Sequence, residues 1–295
     1  MYFYKAYGLG IRSEIQLPEL LVGSRAFDVD IKREKIASNF KRQMKDDCFW
    51  ANDSELFRLY PNISSFLIRQ GREIIVDPNA GVNENIIRPY LLGNIFGSLL
   101  HQRGLLVLHG SAVMMNGKAV VILGPSGSGK STAAASLISK GYSLVADDVI
   151  AINGDINGFL FVYPSFPQLK LFSDVAVSLG YDPKILPYDH PEESKLVVRF
   201  TSEFSSDPIP LARIYILKKG DPTNIIRLGQ MESMIKLVQN SYAVKSLNAR
   251  ANLSSHFSQC TKVAKYVPIC RFIRPFDIDS LPDFANALEN DVRKG

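Results

Sequence analysis

A β-branched strand that runs straight into a glycine-rich turn and then into an alanine-rich helix leaves a chain few ways to fold. Here the strand is Val120-Val-Ile-Leu123. The turn is Gly124-Pro125-Ser126-Gly127-Ser128-Gly129-Lys130-Ser131, and helical composition follows from Thr132 to Lys140. The turn has the form Gly-x-x-x-x-Gly-Lys-Ser of a phosphate-binding loop. Its glycines let consecutive backbone N–H groups converge on phosphate oxygens. Lys130 adds a mobile positive charge, Ser131 a hydroxyl suited to Mg²⁺, and the helix that opens at Thr132 a positive N-terminal end. Gly124 to Thr132 are therefore the expected phosphate-binding residues. A Gly/Ser-rich surface turn would need neither the strand before it nor the helix after it.

The chain of 295 residues is long enough for one large or two smaller domains, and its 46% hydrophobic and 21% charged residues describe a globular protein. The net charge of +5 suits a phosphate-handling protein. It is too diffuse, without a run of like charges, to suggest a nucleic-acid partner. Cys48, Cys260 and Cys270 lack metal-ligand spacing and read as reduced thiols of a cytoplasmic protein. The N-terminal Met1-Tyr-Phe-Tyr-Lys-Ala-Tyr does not read as a signal peptide, and no uninterrupted apolar stretch is long enough to span a membrane.

Residues 1–88 read as a mostly β lobe. Strands are predicted over Tyr2–Leu9 and Phe27–Ile31, and a hairpin over Ser64–Ile68 and Glu73–Val76 that turns at Gln70-Gly71. Asp77-Pro78-Asn79-Ala80-Gly81 is a strong break. Residues 89–295 then read as one α/β domain. A helix is expected over Pro89–Gln102, with Pro89 in its first position. Strands follow at Leu105–His109, Ser111–Met115 and Lys118–Leu123, the last two joined by an Asn116-Gly117 type I′ turn. After the phosphate loop and its helix, closed by Gly141, come strands Ser143–Ala146, Val149–Ile152 and Phe159–Val162, with a turn over Asn153–Gly158. Proline-rich Pro164–Pro191 reads as a loop with a short helix near Asp174–Leu179. Ala212–Leu217 is a buried strand, Gln230–Val244 and Asn248–Lys265 are helices, Val267–Phe272 an edge strand because of Pro268, and Leu281–Arg293 a last helix.

Leu144-Val-Ala-Asp147-Asp148 is an apolar strand that ends in two carboxylates. One can hold Mg²⁺ and the other accept a proton from a reacting hydroxyl; their chemistry does not say which does which. In a parallel sheet this strand end would lie beside the phosphate loop. His109 ends the strand before the loop strand. It is either structural or a residue that positions the γ-phosphate or Asp148.

Together, His109-Gly110-Ser111, the phosphate loop and Gly141-Tyr-Ser-Leu-Val-Ala-Asp147-Asp148 resemble the catalytic core of the HPr kinase/phosphorylase family. Order and gaps agree, with 21 residues from His109 to Lys130 and 18 from Lys130 to Asp148. The match is dense from Leu105 to Ile152 and thin outside it. The resemblance implies a P-loop core of the HPr kinase and phosphoenolpyruvate carboxykinase type, with a mixed sheet and C-terminal helices. It implies transfer of the γ-phosphoryl group of ATP to a serine hydroxyl, with ATP and Mg²⁺ as cofactors. Asp148 would be the base, Lys130, Ser131 and Asp147 would serve phosphate and metal, and His109 would complete the site.

Two departures stand out. The family's glutamate after the Asp-Asp strand has no counterpart over Gln168–Asp174, where Asp174 is the substitute on offer. The arginine segment tied to phosphorolysis has no match, which leaves Arg199, Arg213 and Lys170 as candidate cations. Tyr4-Lys-Ala-Tyr-Gly-Leu, Ser13-Glu-Ile-Gln-Leu-Pro-Glu-Leu and the segment from Leu91 to Gly104 resemble HPr-kinase-related proteins of bacterial peptide-tailoring clusters. Some of these, in lasso-peptide clusters, phosphorylate the C-terminal serine of the precursor peptide. That acceptor is the expectation, docked on the N-terminal lobe. An HPr-like protein, free serine, or a nucleotide-binding regulator without transfer are the alternatives, and a homo-oligomer is among the states the family implies.

Overall fold

A computed structural model describes the chain except residues 38–39, 41–47, 155–157, 189–194, 201–203, 245–246, 248–249, 276, 278–279 and 295, and leaves out the side chains of residues 250–252. Parts of the expected turn at Asn153–Gly158, of the Pro164–Pro191 loop and of the helix start at Asn248 lie outside the described residues.

The first strands are β1 (Tyr2–Ala6), β2 (Leu9–Ser13), β3 (Leu21–Val22), β4 (Val29–Arg33), β5 (Phe49–Ala51), β6 (Glu55–Tyr60), β7 (Ser64–Arg69) and β8 (Glu73–Pro78). Among the described residues they form one eight-stranded sheet in the order β3-β1-β2-β4-β8-β7-β6-β5. The single strand predicted over Tyr2–Leu9 is a hairpin instead. Tyr7 and Gly8 have φ of 54° and 70°, which turns the chain back on itself. The β7–β8 hairpin turns at Gln70-Gly71 as expected, with φ of 50° and 61°.

The next helix starts five residues earlier than predicted. α1 (Glu84–Tyr90) is capped by Asn83, whose side chain accepts from the Asn85 N–H, so Pro89 falls inside the helix. A proline there has no N–H to donate back along the helix. The turn widens into a π segment, Leu91–Ile95, before α2 (Phe96–Gln102) resumes α geometry. Ile87, Leu91, Ile95 and Leu99 are at most 1% exposed. They pack with Ile11, Phe66 and Val76 of the first sheet and with Val107 and Val149 beyond it. This helical layer thus joins the N-terminal sheet to the strands of the phosphate loop.

The remaining elements are β9 (Leu106–Met115), β10 (Lys118–Leu123), α3 (Lys130–Ile138), β11 (Ser143–Gly154), β12 (Leu160–Tyr163), β13 (Gln168–Phe172), α4 (Ser173–Ser178), β14 (Lys195–Arg199), β15 (Ile209–Lys219), β16 (Asn224–Arg227), α5 (Gln230–Gln239), α6 (Arg250–Tyr266), β17 (Ile269–Arg274) and α7 (Leu281–Lys294). A seven-stranded sheet runs β10-β9-β11-β12-β15-β17-β16, with β10 also paired to β15. It is mixed, as expected: β9 is antiparallel to β10 and β11, while β15 is parallel to β10 and β17. Asn116 and Gly117, with φ of 51° and 73°, make the turn between β9 and β10.

Several boundaries differ from the sequence reading. Leu105–His109 and Ser111–Met115 are one strand, and so are Ser143–Ala146 and Val149–Ile152. Glycine and paired aspartates mark these interruptions in the sequence, yet the ladder runs through both. Part of the expected loop at 164–191 is β13, paired with β14. Val267–Phe272 is not an edge. Its strand begins at Ile269, past Pro268, and the exposed β16 lies outside it. The helix from Gln230 ends at Gln239 rather than Val244. No described helix is long and apolar enough to cross a membrane.

α3 buries Ala133, Ala134 and Leu137, and α7 buries Leu281, Phe284, Ala285 and Leu288 at helical spacing. The Phe284 ring lies 4.7 Å from that of Phe272 on β17. Phe284→Ala should cost about 3–5 kcal/mol of folding stability in urea unfolding. A loss under about 1 kcal/mol would mean that α7 is not part of this core.

Candidate active site

The phosphate loop begins where β10 leaves the sheet. Gly124, Gly127 and Gly129 have φ of 153°, 75° and 79°, backbone that other residues enter only with strain. A Cβ on Gly124 would stand 2.7 Å from Ser128 Oγ, and one on Gly129 3.1 Å from an Arg274 guanidinium nitrogen. Gly129 caps α3, so the helix opens at Lys130 itself. The Lys130 ammonium folds back over the loop and donates to the carbonyls of Gly124 (3.0 Å) and Pro125 (3.1 Å). Burial holds it below its ordinary pKa, against the pull of Asp147 and Asp148. A phosphate in the loop would offer this cation better acceptors than two neutral carbonyls.

The two carboxylates reach the loop from the middle of β11, not from the end of a parallel strand. β9 separates β11 from β10, and both pairings are antiparallel; Asp147 lies opposite Ser111 and Asp148 opposite Gly110. In a regular strand, neighbouring side chains point to opposite faces. Asp148 has a φ of 69°, which breaks that alternation, and both carboxylates line the same two cavities. A left-handed aspartate inside a strand stores strain of the kind found at functional sites.

Asp147 is buried and accepts from Ser111 Oγ (2.6 Å), Ser131 Oγ (3.0 Å) and the Lys170 N–H (3.2 Å). Burial pushes its carboxyl above the ordinary value, with Ser111 opposing. A buried carboxylate met here by hydroxyls and an amide suits a hard cation. Ser131, Asp147 and the nearby Asp174 supply only oxygen donors, the chemistry Mg²⁺ prefers. Among the described residues no group of three His, Cys, Asp or Glu side chains stands ready for a metal. Mg²⁺ held by Ser131 and Asp147 would complete its shell with water and phosphate oxygens.

Asp148 is a different carboxylate. Its side chain is 32% exposed, and His109 Nδ1 lies 3.0 Å from its Oδ1. Burial raises its pKa, but the His109 hydrogen bond and the charges of Lys170, His109 and Lys195 outweigh it and bring it down to about 2. Asp148 is thus ionised at neutral pH. So weak a base fits a loose phosphoryl-transfer transition state, in which the hydroxyl gives up its proton late.

Two cavities meet at these carboxylates. One, of 330 Å³, follows the loop from Ser126 to Thr132 and takes in His109, Asp174, Lys195 and Arg274. The other, of 110 Å³, lies towards α1 and the N-terminal lobe, with Glu19, Arg88, Gln168 and Arg199 on its walls. Asp147, Asp148 and Lys170 line both. His109, the phosphate loop, the paired aspartates, Asp174 and Lys170 therefore lie around one cavity. Arg199 reaches only the second cavity, and its guanidinium donates to Pro18 O. Arg213 is elsewhere, bonded to Asp291. The sequence reading missed Lys195 and Arg274, cations with no local motif, and Tyr242, whose hydroxyl donates to Asp148 Oδ2 at 3.3 Å. Only the fold brings these three to the site.

The arrangement is a glycine-rich loop at the start of a helix, lining one cavity, with two carboxylates that face this cavity and a second one. Residues 104–162, which hold His109, the loop and both aspartates, match the family model of the HPr Serine kinase C-terminal domain. Over 45 residues the chain is 49% identical to the HPr kinase/phosphorylases of Chlorobium phaeobacteroides and Prosthecochloris aestuarii. The aligned stretch is 15% of this chain and 13% of each relative, so the chain matches only about an eighth of the length of these curated proteins. Among solved structures, the Hpr(Ser) kinase/phosphatase from Coxiella burnetii aligns at 15% identity with a TM-score of 0.36, covering 64% of this chain and 97% of that one. The likeness to HPr kinases thus falls on residues 104–162, the stretch that holds His109, the loop and both aspartates.

Lys130→Ala should weaken Mg-ATP binding at least tenfold, about 1.4 kcal/mol, in isothermal titration calorimetry. Unchanged affinity would remove the loop from nucleotide binding.

Proposed function

We propose that this chain is an ATP-dependent, Mg²⁺-dependent serine kinase of the HPr kinase type. The observation that carries the reading is the meeting of the two cavities at Asp148. The loop cavity takes the triphosphate, the smaller one takes the acceptor, and the carboxylate faces both. Backbone N–H groups of the loop and Lys130 hold the β- and γ-phosphates, with Lys195 and Arg274 adding charge along the cavity wall. Ser131 and Asp147 would hold Mg²⁺, which when bound neutralises charge on the phosphates. The acceptor oxygen forms a bond to the γ-phosphorus while the bond to the β–γ bridging oxygen breaks. The hydroxyl proton passes to Asp148, and ADP leaves with the bridging oxygen. Asp147, held by hydrogen bonds from Ser111, Ser131 and Lys170, would be the carboxylate on the metal side.

The acceptor we propose is the C-terminal serine of a ribosomal precursor peptide of the lasso class. Arg199 and Lys170 on the walls of the acceptor cavity supply cations for a terminal carboxylate beside the reacting hydroxyl. Residues 1–88 would dock the peptide and residues 89–295 carry out the transfer, in the cytoplasm.

Incubation with Mg-ATP and, separately, a peptide ending in serine, free serine and an HPr protein, read by mass spectrometry, tests this. Phosphate on the terminal serine of the peptide is the expected result. Phosphate on another acceptor would replace the substrate but keep the kinase. Binding of ATP with no transfer to any of the three would favour a nucleotide-dependent regulator. Asp148→Asn should lower transfer at least a hundredfold, the usual scale of general-base catalysis, with Mg-ATP affinity preserved. A fully active variant would refute the assignment of the base.

A further inference from the structure

The three residues after α5 take part in no step above, yet they touch both halves of the site. Asn240–Tyr242 runs beside β9: the His109 N–H donates to Asn240 O (2.7 Å), and the Tyr242 N–H donates to Val107 O (2.9 Å). At one end, Asn240 Oδ1 accepts from the N–H of Gly124, the first residue of the phosphate loop, at 3.1 Å. Its Nδ2 donates to Lys236 O (2.8 Å), which fixes the orientation of the amide. At the other end, the Tyr242 hydroxyl donates to Asp148 Oδ2 (3.3 Å), and its ring stacks on His109 with centroids 5.7 Å apart.

The segment is clamped from behind. His101 Nε2 donates to Tyr242 O (2.9 Å), and Ser241 Oγ donates to Leu237 O (3.1 Å) and lies 2.7 Å from His256 Nε2. Two glycines make room for the tyrosine. A Cβ on Gly93 would stand 3.0 Å from the Tyr242 hydroxyl oxygen, and one on Gly97 2.7 Å from its ring. At that distance the ring would have to move.

We infer that Asn240–Tyr242 is a strap that sets the phosphate loop and Asp148 at a fixed separation, with Tyr242 a positioning residue for the base and Asn240 one for the loop. The inference rests on the reading of Asp148 as the base. A carboxylate held through one oxygen can rotate about its last bond. His109 on Oδ1 and Tyr242 on Oδ2 fix its plane, and each oxygen keeps a lone pair for the acceptor hydroxyl. Burial keeps the Tyr242 hydroxyl protonated, so it acts as a donor. Phosphoryl transfer depends on such positioning more than on base strength.

Tyr242→Phe, which keeps the ring, should lower kcat for phosphorylation of the serine-ending peptide about tenfold, the worth of one hydrogen bond to a charged group. KM for ATP should stay unchanged. Gly97→Ala keeps the hydroxyl but displaces the ring, and it should lower kcat similarly. The loss in the double variant should be less than additive, because both remove the hydroxyl's contact with Asp148. Asn240→Ala should weaken Mg-ATP binding several-fold in calorimetry, a result that needs no acceptor. Normal kcat in Tyr242→Phe, additive losses in the double variant, or unchanged nucleotide affinity in Asn240→Ala would each overturn the strap. If Asp148→Asn itself transfers phosphate normally, the base reading falls. If only Asp148→Asn is inactive, the strap alone falls.

Discussion

One residue with the wrong backbone hand holds this site together. Asp148 sits inside β11 with a φ of 69°, where a regular strand would send it away from Asp147. The left-handed turn brings both carboxylates to the mouth of the phosphate loop and gives them opposite characters. Asp147 is buried among hydroxyls and an amide, and burial raises its pKa. Asp148 is partly exposed, bonded to His109 and faced by lysines, so it stays ionised. Such conformations cost of order 1–3 kcal/mol and persist only where surrounding structure over-determines them. The β9 ladder on one side and the bonds from His109 and Tyr242 on the other supply that constraint here.

The layers around the site follow from the same placement. β9 carries His109 and Ser111 between the strand that leads into the loop and the strand of the carboxylates, so one strand meets both Asp147 and Asp148. Gly110 between them lets the strands close up; a Cβ there would stand 2.6 Å from Ile122 O. On the other face, Val107 and Val149 belong to the same apolar cluster as the N-terminal sheet and α1–α2. The first lobe is therefore packed against the back of the site and contributes Glu19 and Arg88 to the smaller cavity. Their ion pair, at 2.7 Å, anchors the turn before β3 to α1.

The shape of the loop was legible because it is written in consecutive residues. Gly124 to Thr132 needs only its own backbone and the strand and helix that flank it. Asp147 and Asp148 were legible as a pair but not as to how they reach the loop. A twin carboxylate looks like a strand end, whereas here a continuous ladder runs through it. The interior position of β17 and the β13–β14 pair were hidden for a related reason. Each is decided by a partner distant in sequence: β16 covers β17, and β14 recruits a stretch that reads as loop. Lys195, Arg274, Asn240 and Tyr242 carry no local signature, and tertiary structure alone brings them to the site.

The most direct test of the account is a crystal structure with Mg²⁺ and a non-hydrolysable ATP analogue. Lys130 Nζ should leave the carbonyls of Gly124 and Pro125 for the β- and γ-phosphates. Mg²⁺ should lie between Ser131, Asp147 and phosphate oxygens. The Asp148 carboxylate, still bonded to His109 and Tyr242, should face the γ-phosphorus from the side opposite the leaving oxygen. A nucleotide bound away from the loop, or a γ-phosphate with Asp148 turned from it, would contradict the account.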